Sequence, residues 1–302
     1  MTRACGAAAM VACLLVGSGC DVRRDDLSAL IGSPVAVARE TRLEKGLAKR
    51  GAIVADTVPL AEWLLPHELR EISGLALTSD GRLLVHGDEL GRVWEVDYRR
   101  GVLVKRFVLG DGAVKGDFEG ITIAHDRVYL LASNGKLYEF PEGANDAHVD
   151  YRVYDTGLRK DCEFEGVAFD PAINSLLLAC KRVYDTQFRD ALVIYRWSLA
   201  TDTAARSLPL VVPLAGVIGT NGWKSLHPSD ITIDPLTGNY VLVASQERAL
   251  ISITPGGAVV FARSLAALHH QAEGVAIAKD GVLIVSDEAR QGPALITLYK
   301  WP

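Results

Sequence analysis

The residues of this chain best equipped for chemistry are acidic, and they recur at matched places. Glu119, Glu165 and Glu273 each stand before a glycine and an apolar run, in Phe118-Glu119-Gly120-Ile121, Phe164-Glu165-Gly166-Val167 and Ala272-Glu273-Gly274-Val275. Two further copies carry serine at that place, Ser73 before Gly74 and Ser229 before Asp230, so that Asp230 replaces the glycine of the other copies. Carboxylates brought close together repel one another unless protonated, hydrogen-bonded or bridged by a cation. Hard oxygen donors of this kind suit Ca2+ or Mg2+ better than zinc. Glu119, Glu165, Asp230, Glu273 and Asp287 are therefore candidate Ca2+ ligands. The other reading, preferred for most of the three glutamates, is that each carboxylate accepts backbone N–H groups of a neighbouring strand and locks the fold. Asp230 breaks the symmetry and is either a ligand or a cap on the His227-Pro228-Ser229 turn.

The elements that must position these residues are short strands in a repeat. Measured at Ser73, Glu119, Glu165, Ser229 and Glu273, the copies are 46, 46, 64 and 44 residues apart, and three of these intervals fit one propeller blade each. Each copy leads through a turn such as Ser79-Asp80-Gly81 or Lys279-Asp280-Gly281 into a second apolar run, and a third run ends near an aromatic residue. Asp-Gly between β-rich runs is a hairpin signal, because glycine accepts positive φ. The pattern predicts an all-β fold, a β-propeller of five blades. A strand near 52–58 would complete the blade that ends the chain, closing the ring with both termini. The long interval predicts insertions at 185–190 and 215–226, and a sixth blade if one is hidden there.

In such a ring the first strand of each blade lines the central channel and starts at the face where the second strand ends. That arrangement gathers Asp88, Glu89, Lys181, Arg182, Glu247 and Glu288 around one mouth as candidate ligand-contacting residues. Loop histidines His227, His269 and His270 read as surface residues, with His270 within reach of the mouth. No Gly-x-Ser-x-Gly elbow, P-loop or Cys-x-x-Cys is present, so nucleophilic, nucleotide and redox chemistry lack a local signature.

These blade starts, together with Phe169-Asp170-Pro171 and the second-strand ending Val285-Ser286-Asp287-Glu288, resemble the SdiA-regulated β-propeller family over roughly residues 53–301. The resemblance implies a membrane-associated envelope protein and no specific biochemical activity. The expected function is a tethered binding module with Ca2+ at the channel mouth. The alternative is a phytase-like or lactonase-like metal-dependent hydrolase of phosphoesters or lactones, with the same acidic residues as ligands.

The first nineteen residues read as a lipoprotein signal peptide. Arg3 is followed by an apolar run over 7–16, too short for a stable membrane span, and Leu14-Leu15-Val16-Gly17-Ser18-Gly19-Cys20 resembles a lipobox, which implies a palmitate-bearing lipid on Cys20. Secretory cleavage nearby and an uncleaved anchor are the alternatives. Residues 20–50 read as a polar tether with at most a helical turn over 40–50, and 51–302 as the propeller domain. The expected location is the periplasmic side of the bacterial envelope, at the inner membrane if Asp21 is a retention signal. Cys162 and Cys180 flank the hairpin at 170–174 nearly opposite one another, so they form either a disulfide or two buried thiols. The chain has 302 residues and a net charge of −5, which argues against a nucleic-acid partner. An unidentified envelope ligand or protein is the expected partner of a monomer.

Overall fold

The computed structural model describes residues 24–27, 30–49, 58–204, 208–265, 268–290 and 292–302; Cys20 lies outside them. Five sheets stand around one axis, each beginning with its innermost strand. Blade one runs Ile72–Leu77, Leu83–Gly87, Arg92–Asp97 and Val102–Leu109, with His148–Val149 added in parallel on its outer edge. Blade two is Phe118–Ala124, Arg127–Ala132, Lys136–Pro141 and Arg152–Asp155. Blade three is Cys162–Asp170, Ser175–Val183 and Ala191–Ser198, whose outer edge pairs with both Thr203–Ala204 and Leu210–Pro213. Blade four is Asp230–Ile233, Tyr240–Ala244, Ala249–Ile253 and Val259–Ser264, and blade five is Ala272–Ile277, Val282–Asp287 and Leu295–Lys300. The long interval between copies holds the extra edge strand, the short helix Leu214–Ile218 and two single turns rather than a sixth blade.

Both faces of each sheet are apolar because each is buried against a neighbour. The core is accordingly five apolar clusters, one in each gap between successive blades. Near the axis the sheets approach until backbone meets backbone. A Cβ on Gly166 would lie 2.7 Å from Cα of Asp230, and one on Gly120 would lie 2.9 Å from the nitrogen of Val167. Glycine at this register is therefore a packing requirement.

The ring is closed by both ends of the chain, with the closing strand at Ala61–Leu64 rather than at the expected 52–58, of which 52–57 lie outside the described residues. Trp63 decides the position: its ring is fully buried and its Nε1 donates to the carbonyl of Tyr98 at 2.8 Å in blade one.

The expectation of a solvated tether is corrected over the described part of residues 20–50. Arg24–Asp26 adds a parallel strand outside Ala61–Leu64, and Pro34–Ala48 is a helix capped by Ser33, whose hydroxyl accepts from the amide of Ala36. Ala36 and Leu43 face the propeller, and Arg39 lies over Trp63 at 5.3 Å while donating to the carbonyl of Gly101 at 2.8 Å. The helix charges that look like a solvated run instead make ion pairs, Glu40 with Arg100 at 2.9 Å and Glu44 with Arg99 at 3.6 Å.

Cys162 and Cys180 are joined, their sulfurs 2.01 Å apart. They are not directly opposite: a register shift pairs Cys180 with Phe164 and Cys162 with Val183, and the bridge crosses the ladder diagonally. With the cysteines 18 residues apart, chemical reduction is expected to lower the unfolding free energy by about 3 kcal/mol, measured by urea unfolding with and without dithiothreitol. Gly166→Ala, which has backbone rather than a movable side chain in its way, is expected to cost about 3 kcal/mol in the same assay.

Candidate functional site

One local device aims the repeated acidic residues at the channel mouth. In blades one, two, three and five the pairing of first and second strand shifts by a residue between Ile72 and Gly74, Phe118 and Gly120, Phe164 and Gly166, and Ala272 and Gly274. The residue left out of the ladder is Ser73, Glu119, Glu165 or Glu273. A bulge bends its strand and redirects the unpaired side chain, here beside the axis. Blade four reaches the same place without a bulge, since its strand begins at Asp230 and the amide of Ser229 donates to the carbonyl of Val243.

At the mouth the three glutamates surround an internal cation. The ammonium of Lys181, from the end of the second strand of blade three, forms an ion pair with Glu165. Burial works against its charge, but Glu165, Glu119 and Glu273 together hold the Lys181 ammonium above its ordinary value. Burial pushes Glu119 well above the usual carboxylate range, and Glu165, Asp117 and Glu273 add to the effect while Lys181 opposes it. Glu165 is raised by burial and held back by Lys181, and Glu273 likewise. Ser73 Oγ donates to Glu119 Oε2 at 3.5 Å, and Ser229 and Gln271 hydrogen-bond to Glu273. The glutamates thus bind side chains at the mouth rather than backbone amides of the next blade.

Asp230 takes the locking role instead. It is completely buried at the axis, with Oδ1 accepting from its neighbour Ile231 N at 2.8 Å and Oδ2 from Val275 N of blade five at 2.9 Å. Burial drives its pKa well up, against the pull of backbone N–H groups of Val275, Ile231 and Leu75. It caps inner strands rather than the turn before it.

Asp287 is also engaged. Its Oδ2 is 2.6 Å from Nδ1 of His269, whose Nε2 is 2.6 Å from the hydroxyl of Tyr299, and Oδ1 accepts from Gln271 N at 3.2 Å. His269 is 1% exposed and so is no surface residue, and Tyr299 is fully buried. This Asp-His-Tyr chain has the order of a relay but no access for a substrate; it fixes the loop that enters blade five. Tyr299 comes from the third strand of its blade, which is why sequence spacing does not reveal the grouping. Glu247 does the same for blade four, accepting from Ser225 Oγ, His227 N and His227 Nδ1 at 2.8 to 3.1 Å. Arg182 turns outward to Glu163 at 3.3 Å.

The residues proposed as Ca2+ ligands therefore do not converge. Lys181 stands where the cation would, Asp230 is held by amides and Asp287 by His269. Among the described residues no group of three His, Cys, Asp or Glu side chains is placed to hold a metal ion. The donor set does not fit Ca2+.

What remains open is a second acidic shell between blades five and one. Asp88 is raised by burial and by the charges of Glu71 and Glu89, and Glu288 by burial and by Asp88 and Glu71, with Arg290 and Arg70 offsetting part of it. Glu89 is exposed, while Glu71, Asp88 and Glu288 are part-exposed. Repeat spacing does not single out Glu71, because it stands two residues before Ser73, out of phase with the glutamates of the other copies.

No family model matches the chain and no curated protein matches it. Among solved structures it is similar to the glutaminyl cyclase of Myxococcus xanthus, at 14% identity and a TM-score of 0.57, covering 80% of this chain and 96% of that one. It is also similar to a PQQ-bound aldose sugar dehydrogenase from Streptomyces coelicolor, at 15% identity and a TM-score of 0.48, covering 80% and 98%. At such an identity the likeness to the cyclase concerns the fold alone, and it agrees with the propeller architecture.

A carboxyl whose folded value is raised holds a proton that the unfolded chain has released, so its contribution declines as pH rises above the ordinary value of 4.5. Glu119→Gln, which mimics the protonated form, is expected to be more stable than the wild type at about pH 8 and to flatten the decline above about pH 5, read by urea unfolding across pH.

Proposed function

We propose that this protein is a membrane-tethered extracytoplasmic binding propeller of the SdiA-regulated type, which offers its acidic channel mouth to cationic groups of an envelope ligand or protein. The observation that carries the reading is the division of the carboxylates into two shells. The inner shell is already served by Lys181, whereas the outer shell of Glu71, Asp88, Glu89 and Glu288 is part-exposed or exposed, and burial together with the neighbouring carboxylates raises the pKa values of Asp88 and Glu288. A cation from a partner would relieve that repulsion, and complementary charge favours its approach. The hydrolase alternative needs three converging oxygen ligands with an open position, and its candidate ligands have other partners.

Two further features support the compartment. A disulfide suits an oxidising environment outside the cytoplasm. Leu30, Ile31, Val35 and Val37 are all more than half exposed within the stretch that begins ten residues after Cys20, a surface suited to lie against a bilayer beside a lipid anchor. No helix among the described residues is long and apolar enough to cross a membrane. The protein is read as a monomer on the periplasmic side, at the inner membrane if Asp21 acts as a retention signal.

Calorimetric titration with a tetralysine peptide is expected to show one saturable site that weakens as salt is raised. The double variant Asp88→Asn, Glu288→Gln is expected to weaken it about ten-fold, a change of about 1.4 kcal/mol. Absence of saturable binding would overturn the cationic-ligand reading. In a parallel titration, saturable Ca2+ binding lost in both Glu165→Gln and Glu273→Gln would make the channel mouth a metal site and justify assays with phosphoesters and lactones.

A further inference from the structure

The channel has a second end, and its chemistry is the reverse of the first. Past the glycine register the inner strands carry Leu77, Ile123, Phe169, Ile233 and Ile277, one from each blade at the same repeat position. The first four are part-exposed although they sit beside the axis. They line a cavity of about 750 Å3 floored by the residues that follow the glycine register and rimmed by the hairpin turns of the blades. That size lies within the range of about 300–1,000 Å3 typical of small-molecule sites. Each of the five also packs against an inter-blade cluster, and what that packing leaves exposed of the first four opens on the cavity.

The rim decides what kind of molecule completes it. Of its acids, Asp80 is paired with Arg82 at 2.9 Å, and Asp280 is paired with Arg99, which also reaches Glu40 and Glu44 of the N-terminal helix. His125 is hydrogen-bonded to Asn174 at 3.0 Å. Lys279 is exposed and makes no ion pair among the described residues. Lys279 is thus the rim cation that these pairs leave available above the well.

We propose that this funnel binds a long-chain anionic amphiphile of the fatty-acid class, with the acyl chain against the five-residue ring and the carboxylate at Lys279. Apolar burial supplies the attraction and scales with chain length, while Lys279 fixes orientation with a charge-assisted contact. The site is separate from the acidic mouth, and neither depends on the other being occupied, because Asp230 and the glycine register close the axis between them.

The test uses the full chain bearing Cys20→Ser, so that no acyl group is attached at that cysteine, titrated calorimetrically with laurate, decanoate and dodecanol. One saturable laurate site is expected, about ten-fold stronger than that for decanoate. Ile123→Asp is expected to abolish it, and Val260→Asp, on an exposed outer strand, to leave it unchanged. Lys279→Glu should weaken laurate about ten-fold without weakening dodecanol, a readout that stands if Ile123→Asp fails to fold. The proposal is overturned if the folded chain shows no saturable laurate binding, if Ile123→Asp binds laurate like the wild type, or if Lys279→Glu leaves the laurate-to-dodecanol ratio unchanged.

Discussion

Five inner strands meet at one axis with no room for side chains between them, and the rest of the molecule is arranged around that constraint. Glycine satisfies it in four blades. Blade four answers differently, with Asp230, and the reason is chemical: inner strands so close together leave backbone N–H groups that water cannot reach, and a buried carboxylate can accept from several at once. One aspartate therefore ties the first strands of blades four and five and draws on the amide of Leu75 in blade one. An unpaired buried amide would cost more than an ordinary hydrogen bond returns, so the asymmetry stabilises the closed ring.

The same constraint separates the two ends of the channel. On one side the bulges turn Ser73, Glu119, Glu165 and Glu273 toward the axis, where burial would make three negative charges untenable. The protein answers with Lys181 and with raised carboxyl pKa values, so that the inner mouth is a neutralised network. Such a network is sensitive to the loss of Lys181, since removing the cation leaves buried carboxylates without compensation. On the other side the strands resume ordinary alternation, and aliphatic side chains line a well.

The N-terminal segment belongs to the architecture rather than to the linker. Trp63 joins blade five to blade one through the carbonyl of Tyr98, and Arg39 stacks on that indole while the helix acids hold Arg99 and Arg100. The seam where the ring closes is therefore braced from outside by a helix. Buried within the same molecule, His86 has its pKa pushed down to about 4 by desolvation and has no partner at Nε2. Its imidazole fills the space that Gly74 leaves beside it, so here the missing Cβ serves a side chain of the second strand.

Spacing alone determined five repeat copies, the inner-strand register and the placement of Glu119, Glu165 and Glu273 at the mouth, because a propeller repeats its geometry each time it repeats its sequence; that the long interval holds no sixth blade was decided by the structure. It also marked Asp230 as the exception and brought Cys162 near Cys180. What those residues do was decided by tertiary structure. Whether a carboxylate meets a metal, a lysine or an amide depends on neighbours brought from other strands as well as other blades: Lys181 meets Glu165 within blade three, His269 lies between Asp287 and Tyr299 of blade five, and Asp230 reaches Val275 across a blade boundary. The helix at 34–48 escaped for the same reason: its charges look solvated until Arg99 and Arg100 of blade one are seen opposite them. Leu77, Ile123, Phe169, Ile233 and Ile277 were legible as apolar strand residues, but a strand's alternation is the same whether its apolar face meets a neighbouring sheet alone or also borders an open channel, and only the closed ring shows that these five do both.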